Sequence, residues 1–503
     1  MSRQLHTFPG GLKLATFKHL SDSEMAQQQA LPERLILPLQ QHIGIPAEPV
    51  VRIGDQVLKG QVIARANGYV SLPVHASTSG RIIDIGDYPV PHPSGLNAPC
   101  IVIEADGLDQ WGEITPTHEY ASVDPQELQT VICECGISGL GGAGFPAHVK
   151  IREGVDNAVD TLIINGVECE PYITCDARLI QEKAQYVVAG TRMIGHAVQA
   201  RHCVIAIEDD MPASYQALAE LVGEDIELVT VPARYPAGGE KQLIQVITGK
   251  TVPSGGLPIH VGIVMHNVAT AAAVYRAVTR GEPIISRYVT ISGNVERPRN
   301  LQVLLGTPVK DCLANCGFTD DGRSKIILGG PMMGMRVRNP DIPITKTTNC
   351  ILIQRHEPAP PALPCIRCGR CAEVCPVRLQ PQQLYWHAES GNFRAAQSYH
   401  LFDCIECGLC AYVCPSHIPL VQYFRYAKSK VAETERRERG AEYSLTRFLE
   451  KNARAERLRA DRARPLPPDT SQALAEKRSY IEAAVARSKQ KKELLQKDQA
   501  DDD

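Results

Sequence analysis

Cys365–Pro376 reads CIRCGRCAEVCP, and Cys404–Pro415 reads CIECGLCAYVCP. Both are Cys-x-x-Cys-x-x-Cys-x-x-x-Cys-Pro, a run in which three thiolates wrap one face of a four-iron cubane while the fourth reaches a second cluster. Gly369 and Gly408 sit where each loop must turn tightly. The crossed fourth ligands predict one 4Fe–4S cluster on Cys365, Cys368, Cys371 and Cys414, and another on Cys404, Cys407, Cys410 and Cys375. The alternatives are zinc knuckles or buried thiols. Zinc sites usually use paired Cys-x-x-Cys, not a duplicated triple run closed by Cys-Pro.

Between the runs, Pro381–Ala396 (PQQLYWHAESGNFRAA) is long enough for helices, so the expected module is a helical ferredoxin rather than the minimal β-rich kind. The other nine of the 17 cysteines read as small buried hydrophobes. Outside this segment the composition is ordinary: 503 residues, 44% hydrophobic, 22% charged, net charge −3. That length suggests three or four domains, and the composition is that of a globular rather than a disordered chain. Near-neutral charge and 5% aromatics argue against nucleic acid as a partner. The first twenty residues lack the apolar core of a secretory signal, so reduced thiols serving metal are expected rather than disulfides. Thr251–Tyr275 has no charged residue, but its prolines, histidines and glycines mark it as buried core rather than a membrane span. The expectation is a chain with no transmembrane segment of its own, peripheral if it meets a membrane at all.

Upstream, PVVRIGDQVLKGQVIA and VSLPVHASTSGRIIDI alternate in period two between glycine turns, as strands of a small β-domain do. The phrasing resembles the biotinyl/lipoyl hammerhead, yet Arg65-Ala66-Asn67-Gly68 has no lysine where a swinging arm would be carried. From about 120 to 285, Thr161–Asn165, Cys203–Glu208 and Ile226–Val231 are short apolar runs alternating with helical stretches such as Asp124–Cys135 and Leu179–Gln199, which predicts a parallel sheet with crossover helices. YVTISGNV, GTPVKDCLANCG and KIILGGPMMG return to β punctuation, and EPAPPALP (357–364) is a linker. After about 428 the chain is charged and rich in Ala, Glu, Lys and Arg. It reads as two helical stretches around the break PLPPDT (465–470), ending in a disordered QKDQADDD.

Two four-iron clusters pass single electrons; trading in pairs with a nicotinamide calls for a flavin. Four elements of the α/β region are suited to one. The loop Gly139–Pro146 (GLGGAGFP) lets backbone lie flat against a ring or phosphate. Asn165–Pro171 (NGVECEP) ends a strand, where α/β sheets bind ligands, and Asn165, Glu168 and Glu170 offer hydrogen bonds to hydroxyls. Tyr235–Lys241 (YPAGGEK) and Asn267–Thr270, which opens a helix, are the third and fourth.

Residues 130–275 resemble the NADH- and FMN-binding flavoprotein of respiratory complex I. Its G-R-G-G-A-G-F-P, N-x-D-E-x-E-P-G, G-E-E and N-V-E-T segments match these four elements in order, and its loop lysine matches Lys150. With the lysine-less hammerhead in front and the double ferredoxin behind, the chain to about 430 is similar to the RnfC family, the C-type component of the Rnf/Rsx ion-translocating electron-transport complexes. The architecture implied is multidomain α/β: a hammerhead β-domain (30–115), a Rossmann-like FMN/NAD(H) domain (120–285), a β-grasp, soluble-ligand-binding-like module (286–350), a two-cluster ferredoxin domain (357–428) and a charged tail (429–503). The resemblance implies a flavin and nucleotide site at Gly139, Gly141, Gly142, Gly144, Phe145, Lys150, Asn165, Glu168, Glu170, Tyr235, Gly238, Gly239, Glu240, Asn267 and Thr270. No side chain acts as acid or base there, since the cofactor carries the chemistry. Electrons would pass between NAD(H), FMN, the two clusters and a ferredoxin-like partner subunit. The assembly would be held by integral-membrane subunits on the cytoplasmic face of the bacterial inner membrane. The sequence departs from the complex I pattern at Leu140, Val167, Tyr172, Lys241 and Ala269. Those departures motivate a second reading, a flavin-less iron–sulfur relay bridging partners; a third is a reductase keeping an iron–sulfur transcription regulator reduced.

Overall fold

Isoleucine and valine crowd the runs TLIIN, CVIAIE and IELVTV, and each becomes a strand of one sheet. The computed structural model describes residues 3–116, 119–358, 360–463 and 470–498. Strands Ile226–Val231, His202–Glu208, Thr161–Gly166 and Ile263–Asn267 lie side by side in that order, all parallel. Such strands are buried on both faces, which is why they read as near-continuous apolar runs. Helix Cys175–Val198 packs on Val268–Arg280 on one side, and Glu240–Thr248 covers the other with Leu243, Ile244 and Ile247. Only the second half of the charge-free stretch 251–275 is core: residues 263–275 supply the edge strand and the buried start of the helix after it, whereas 251–262 is a largely exposed loop carrying one 3-10 turn.

The strand order has a consequence for function. From Thr161–Gly166 the chain steps outward through His202–Glu208 to Ile226–Val231, then returns to the opposite side with Ile263–Asn267. The crevice outside the carboxyl ends of the two strands where the direction reverses is where open α/β sheets bind ligands.

In front of this domain, Arg34–Pro38, Asn97–Ala105, Gly80–Pro89 and Gln56–Val57 form an antiparallel sheet, and Glu48–Pro49, Val62–Arg65 and Val74–His75 a smaller one. Leu37, Ile63, Val74, Ile82, Ile101 and Ile103 are buried together within them. Behind it stands a six-stranded mixed sheet of Gln27–Gln28, Arg299–Leu304, Ser286–Gly293, Cys350–Arg355, Ser324–Leu328 and Met335–Val337. Two differences from the sequence reading are found here. GTPVKDCLANCG is not β structure but carries the helix Val309–Asn315, with Val309, Cys312 and Leu313 facing the core at helical spacing after Pro308. The sheet also runs past 350, because Cys350–Arg355 lies between Ser286–Gly293 and Ser324–Leu328.

Residues 3–29 lie ahead of the hammerhead expected from residue 30. They form a strap across the α/β domain: the His6 amide donates to the Val246 carbonyl, Leu12 pairs with Tyr235, and Lys18 bonds Glu208 at 2.7 Å. The cysteine segment is helical as expected, with Pro381–Glu389 and Phe393–Ser398 between the two runs.

The chain divides into two units, 1–428 and 429–503. The second holds most of the helix Leu420–Ala463 and the helix Thr470–Asp498, whose described side chains are almost all exposed. Residues 465–469 of the PLPPDT break and the final 499–503 lie outside the described residues. Among the described residues no helix is long and apolar enough to cross a membrane.

Candidate flavin and iron–sulfur sites

Asn165 and Asn267 are register partners on adjacent parallel strands, at the carboxyl ends where the sheet reverses direction. Around them the four sequence elements meet. Asn165 Nδ2 donates to the Gly238 carbonyl at 2.9 Å, and its Oδ1 accepts from the Val167 amide. Asn267 caps its helix by accepting from the Ala269 amide, and its Nδ2 donates to Asp176 at 2.6 Å. Gly141 approaches so closely that a Cβ there would lie 3.2 Å from that of Asn267. The Leu140 amide donates to Thr270 Oγ1, and Lys150 Nζ bonds Glu240 at 2.6 Å. Gly139, Gly141, Gly142, Gly144, Phe145, Lys150, Asn165, Glu168, Gly238, Gly239, Glu240, Asn267 and Thr270 therefore belong to one connected neighbourhood, although they span more than a hundred residues of sequence.

The glycine loop closes on itself through the Gly139 amide and the Phe145 carbonyl, 2.7 Å apart. Gly142 has φ +102° with open space on its Cβ side, a backbone that L side chains rarely adopt. From behind, the Ile43 amide holds the Gly144 carbonyl, and the buried Arg287 guanidinium donates to the carbonyls of Leu140 and Lys346. Arg287, Ile43 and the fully buried Lys346 were not legible as part of this site; they come from flanking domains and carry no local signature.

Lys150 lies in the first turn of Ala147–Asp156, Glu240 begins Glu240–Thr248, and Asn267 caps Val268–Arg280. Helix starts present unpaired amides and the positive end of the macrodipole, which suits a phosphate. The start of Cys175–Val198 is already occupied: Glu168 accepts from the amides of Asp176 and Ala177. Burial, with the Asp176 carboxyl beside it, pushes Glu168 above the usual carboxylate range, and burial raises Asp176 likewise. His266, also missed by the sequence reading, is buried with no partner for Nε2, and burial followed by the nearby Lys150 charge lowers it to about 3. An open loop of glycines, a half-exposed lysine, helix starts and an orphaned ring nitrogen fit an anionic, heteroaromatic cofactor.

The departures from the complex I pattern are mostly turned away. Leu140 and Val167 bury their side chains in the hydrophobic core, and Lys241 reaches the Pro253 carbonyl at the surface. Tyr172 keeps φ +71° where the motif has glycine, and stacks on Phe17 of the strap at 4.7 Å.

Two predicted site residues face elsewhere. Glu170 Oε1 accepts from the amides of Met332 and Met333, and Tyr235 donates its hydroxyl to the Cys407 carbonyl at 2.8 Å. Glu170 thus faces the turn between Ser324–Leu328 and Met335–Val337, and Tyr235 the cysteine module.

There the eight cysteines fall into two groups. Cys365, Cys368, Cys371 and Cys414 line a cavity of about 270 Å³ with Arg367 and Trp386 on its wall. Cys375, Cys404, Cys407 and Cys410 line a smaller pocket closed by Leu384, Val421 and Phe424. The two loops follow the same backbone path: φ is +57° at both Arg367 and Glu406, then +81° at Gly369 and +83° at Gly408. Four thiols per pocket is a donor set that fits iron–sulfur clusters; Glu406, which also lines the second pocket, is held by Arg425 and Lys428.

Four family models match the chain: the RnfC barrel sandwich hybrid domain at residues 6–108, the Nuo51 FMN-binding domain at 132–276, the SLBB domain at 288–336 and a 4Fe-4S dicluster domain at 364–418. Among curated proteins, the C-type component of the ion-translocating oxidoreductase complex of Pseudomonas aeruginosa is 45% identical over 91% of this chain and 60% of its own length. Its counterparts in Citrobacter koseri and Salmonella gallinarum are 44% and 43% identical over 96% of this chain and 69% and 72% of theirs. An NAD+-reducing NiFe hydrogenase structure aligns over 63% of this chain and 64% of its own at 19% identity and a TM-score of 0.44, too weak a likeness to carry an argument. The chain is a multidomain α/β protein that belongs to the RnfC family of ion-translocating oxidoreductase complexes.

Proposed function

We propose that this chain exchanges electrons between NAD(H) and partner subunits through one FMN and two 4Fe–4S clusters. The observation that carries the reading is the meeting of all four glycine- and asparagine-bearing elements at the reversal point of the parallel sheet, with the eight cysteines sorted into two groups of four alongside. The flavin, when bound, takes a hydride from the nicotinamide and releases its electrons singly. Gly139–Phe145 forms the flat backbone platform, Lys150 and the helix starts hold the phosphate, and Asn165, Glu240 and Asn267 orient the remainder. Cys365, Cys368, Cys371 and Cys414 bind one cluster, and Cys375, Cys404, Cys407 and Cys410 the other.

On this reading the front module is a lysine-less hammerhead, the α/β domain is Rossmann-like, and the module after it is a β-grasp. The partners are the integral-membrane and ferredoxin-like subunits of an Rnf/Rsx-type complex on the cytoplasmic face of the inner membrane. Anaerobic reconstitution with iron, sulfide and FMN, followed by NADH, tests it. Bleaching of both flavin and cluster bands, lost in Gly142→Trp, supports the reading. Clusters that respond to dithionite but ignore NADH, with no flavin retained, would favour the relay without flavin.

A further inference from the structure

Tyr235 sits between the two candidate sites, and its bonds run in both directions. Its backbone starts the YPAGGEK turn whose Gly238 carbonyl binds Asn165. Its ring is buried among Val374, Cys407 and Leu409, with Leu12, Cys169 and Met332 against them. Its hydroxyl, 2.8 Å from the Cys407 carbonyl, makes a buried side-chain hydrogen bond from the flavin-side loops to a cysteine-bearing loop. Two further contacts fix the same seat. Glu170, from the other flavin-side loop, grips the amides of Met332 and Met333, and a Cβ on Gly408 would lie 2.8 Å from the Met332 carbonyl. The strap joins in, with the Gly11 amide on the Val374 carbonyl and Leu12 paired to Tyr235.

Tyr235, Met332 and Gly11 touch Cys407, Gly408 and Val374, in the loops that carry Cys375 and Cys407 of the second pocket. Cys368 of the other group is exposed, and the residues beside it, Ile366 and Arg367, face solvent. We propose that Tyr235 is a positioning residue for electron transfer: its hydroxyl on the Cys407 carbonyl fixes the Cys375/Cys404/Cys407/Cys410 cluster against the flavin-side loops, making that cluster the flavin's electron neighbour, and sets that cluster's potential. A donor on the carbonyl of a ligating cysteine withdraws electron density from the peptide beside the thiolate, and hydrogen bonding around a cluster is one of the levers on its potential. Holding the loop also fixes the distance over which single electrons pass.

This inference rests on the flavin and two-cluster reading above, so the experiment separates the two. The full chain and its Tyr235→Phe variant are reconstituted anaerobically, and both clusters are followed by potentiometric EPR. Cys368→Ser in each background identifies which signal belongs to which group. The expected result is a midpoint shift of the Cys375/Cys404/Cys407/Cys410 signal alone, with flavin content unchanged. NADH-driven reduction of that cluster slows about tenfold, as loosened geometry between reacting centres does, while dithionite reduction keeps its rate. 4-Aminophenylalanine at position 235 retains a donor at the para position and should restore both properties, which also covers a Tyr235→Phe chain that folds poorly. Equal potentials and equal NADH rates in Tyr235→Phe and the parent would overturn the inference. So would a shift confined to the other cluster. Failure of the flavin reading would show in the parent protein, as an absence of flavin or of any response to NADH, and the cluster potentials would still judge the Tyr235 contact.

Discussion

Lys346 is completely buried, and its ammonium donates to the carbonyls of Gly136 and Pro73 with the Cys133 thiol and the His75 ring nearby. Burial lowers Lys346 to about 7. The unfolded chain therefore binds one more proton than the native chain between about pH 7 and the ordinary lysine value of 10.5. Stability should rise with pH across that window, by at most about 1.4 kcal/mol per pH unit from this group. Urea midpoints of the parent and Lys346→Met between pH 6.5 and 9.5 check it: the parent's should climb more steeply. Asn267→Ala should cost about 1 kcal/mol through the lost helix cap and lower the flavin retained on gel filtration, while circular dichroism stays unchanged. The residue scale also shows where sequence reading stops. The cysteines were legible because their spacing within a loop is itself the chemistry, Asn165 and Asn267 because they stand at a strand end and a helix opening, and Lys150 only through the resemblance to the complex I flavoprotein. Glu170 and Tyr235 lie in the flavin-side loops, yet each is turned toward a later domain, and a motif records the loop rather than the direction of a side chain. Arg287 and Lys346 left no trace because what defines them is contact with chain more than a hundred positions away.

At the scale of elements, the parallel strands and crossover helices followed from apolar runs, and the strap did not. Leu5, Phe8, Leu12 and Leu14 are too thinly spread among polar residues to announce a structure of their own. Its firmest tie is Lys18 to Glu208, whose carboxylate is 2% exposed at the end of a central strand. Removing one member strands the other in the interior, so Lys18→Met should cost about 3–5 kcal/mol. Lys18→Met combined with Glu208→Gln should recover most of it. Denaturant titrations of the two single variants and the pair provide the cycle; independent, additive losses would show that the ion pair does not bear on stability.

For the molecule as a whole, the two cysteine pockets differ in their access to solvent. Oxygen or a chelator should strip the cluster of Cys365, Cys368, Cys371 and Cys414 first, giving two separable phases in cluster absorbance, the slower belonging to the pocket walled by Leu384, Val421 and Phe424. From Arg436 onward the described side chains are exposed. A chain ending at Glu435 should keep its flavin content, its cluster spectrum and its main thermal transition. The juxtaposition of Asn165 and Asn267 has a temporal side as well. The strand holding Asn267 is the last of its sheet to leave the ribosome, and the arginine bracing the glycine loop follows it. A nascent chain halted before residue 267 lacks the strand end and helix cap that complete the proposed flavin site, so loading would wait on the last strand of the sheet. Parallel pairings of such high sequence separation form slowly, and cofactor occupancy thereby becomes a report on whether the whole central sheet has closed in the correct order.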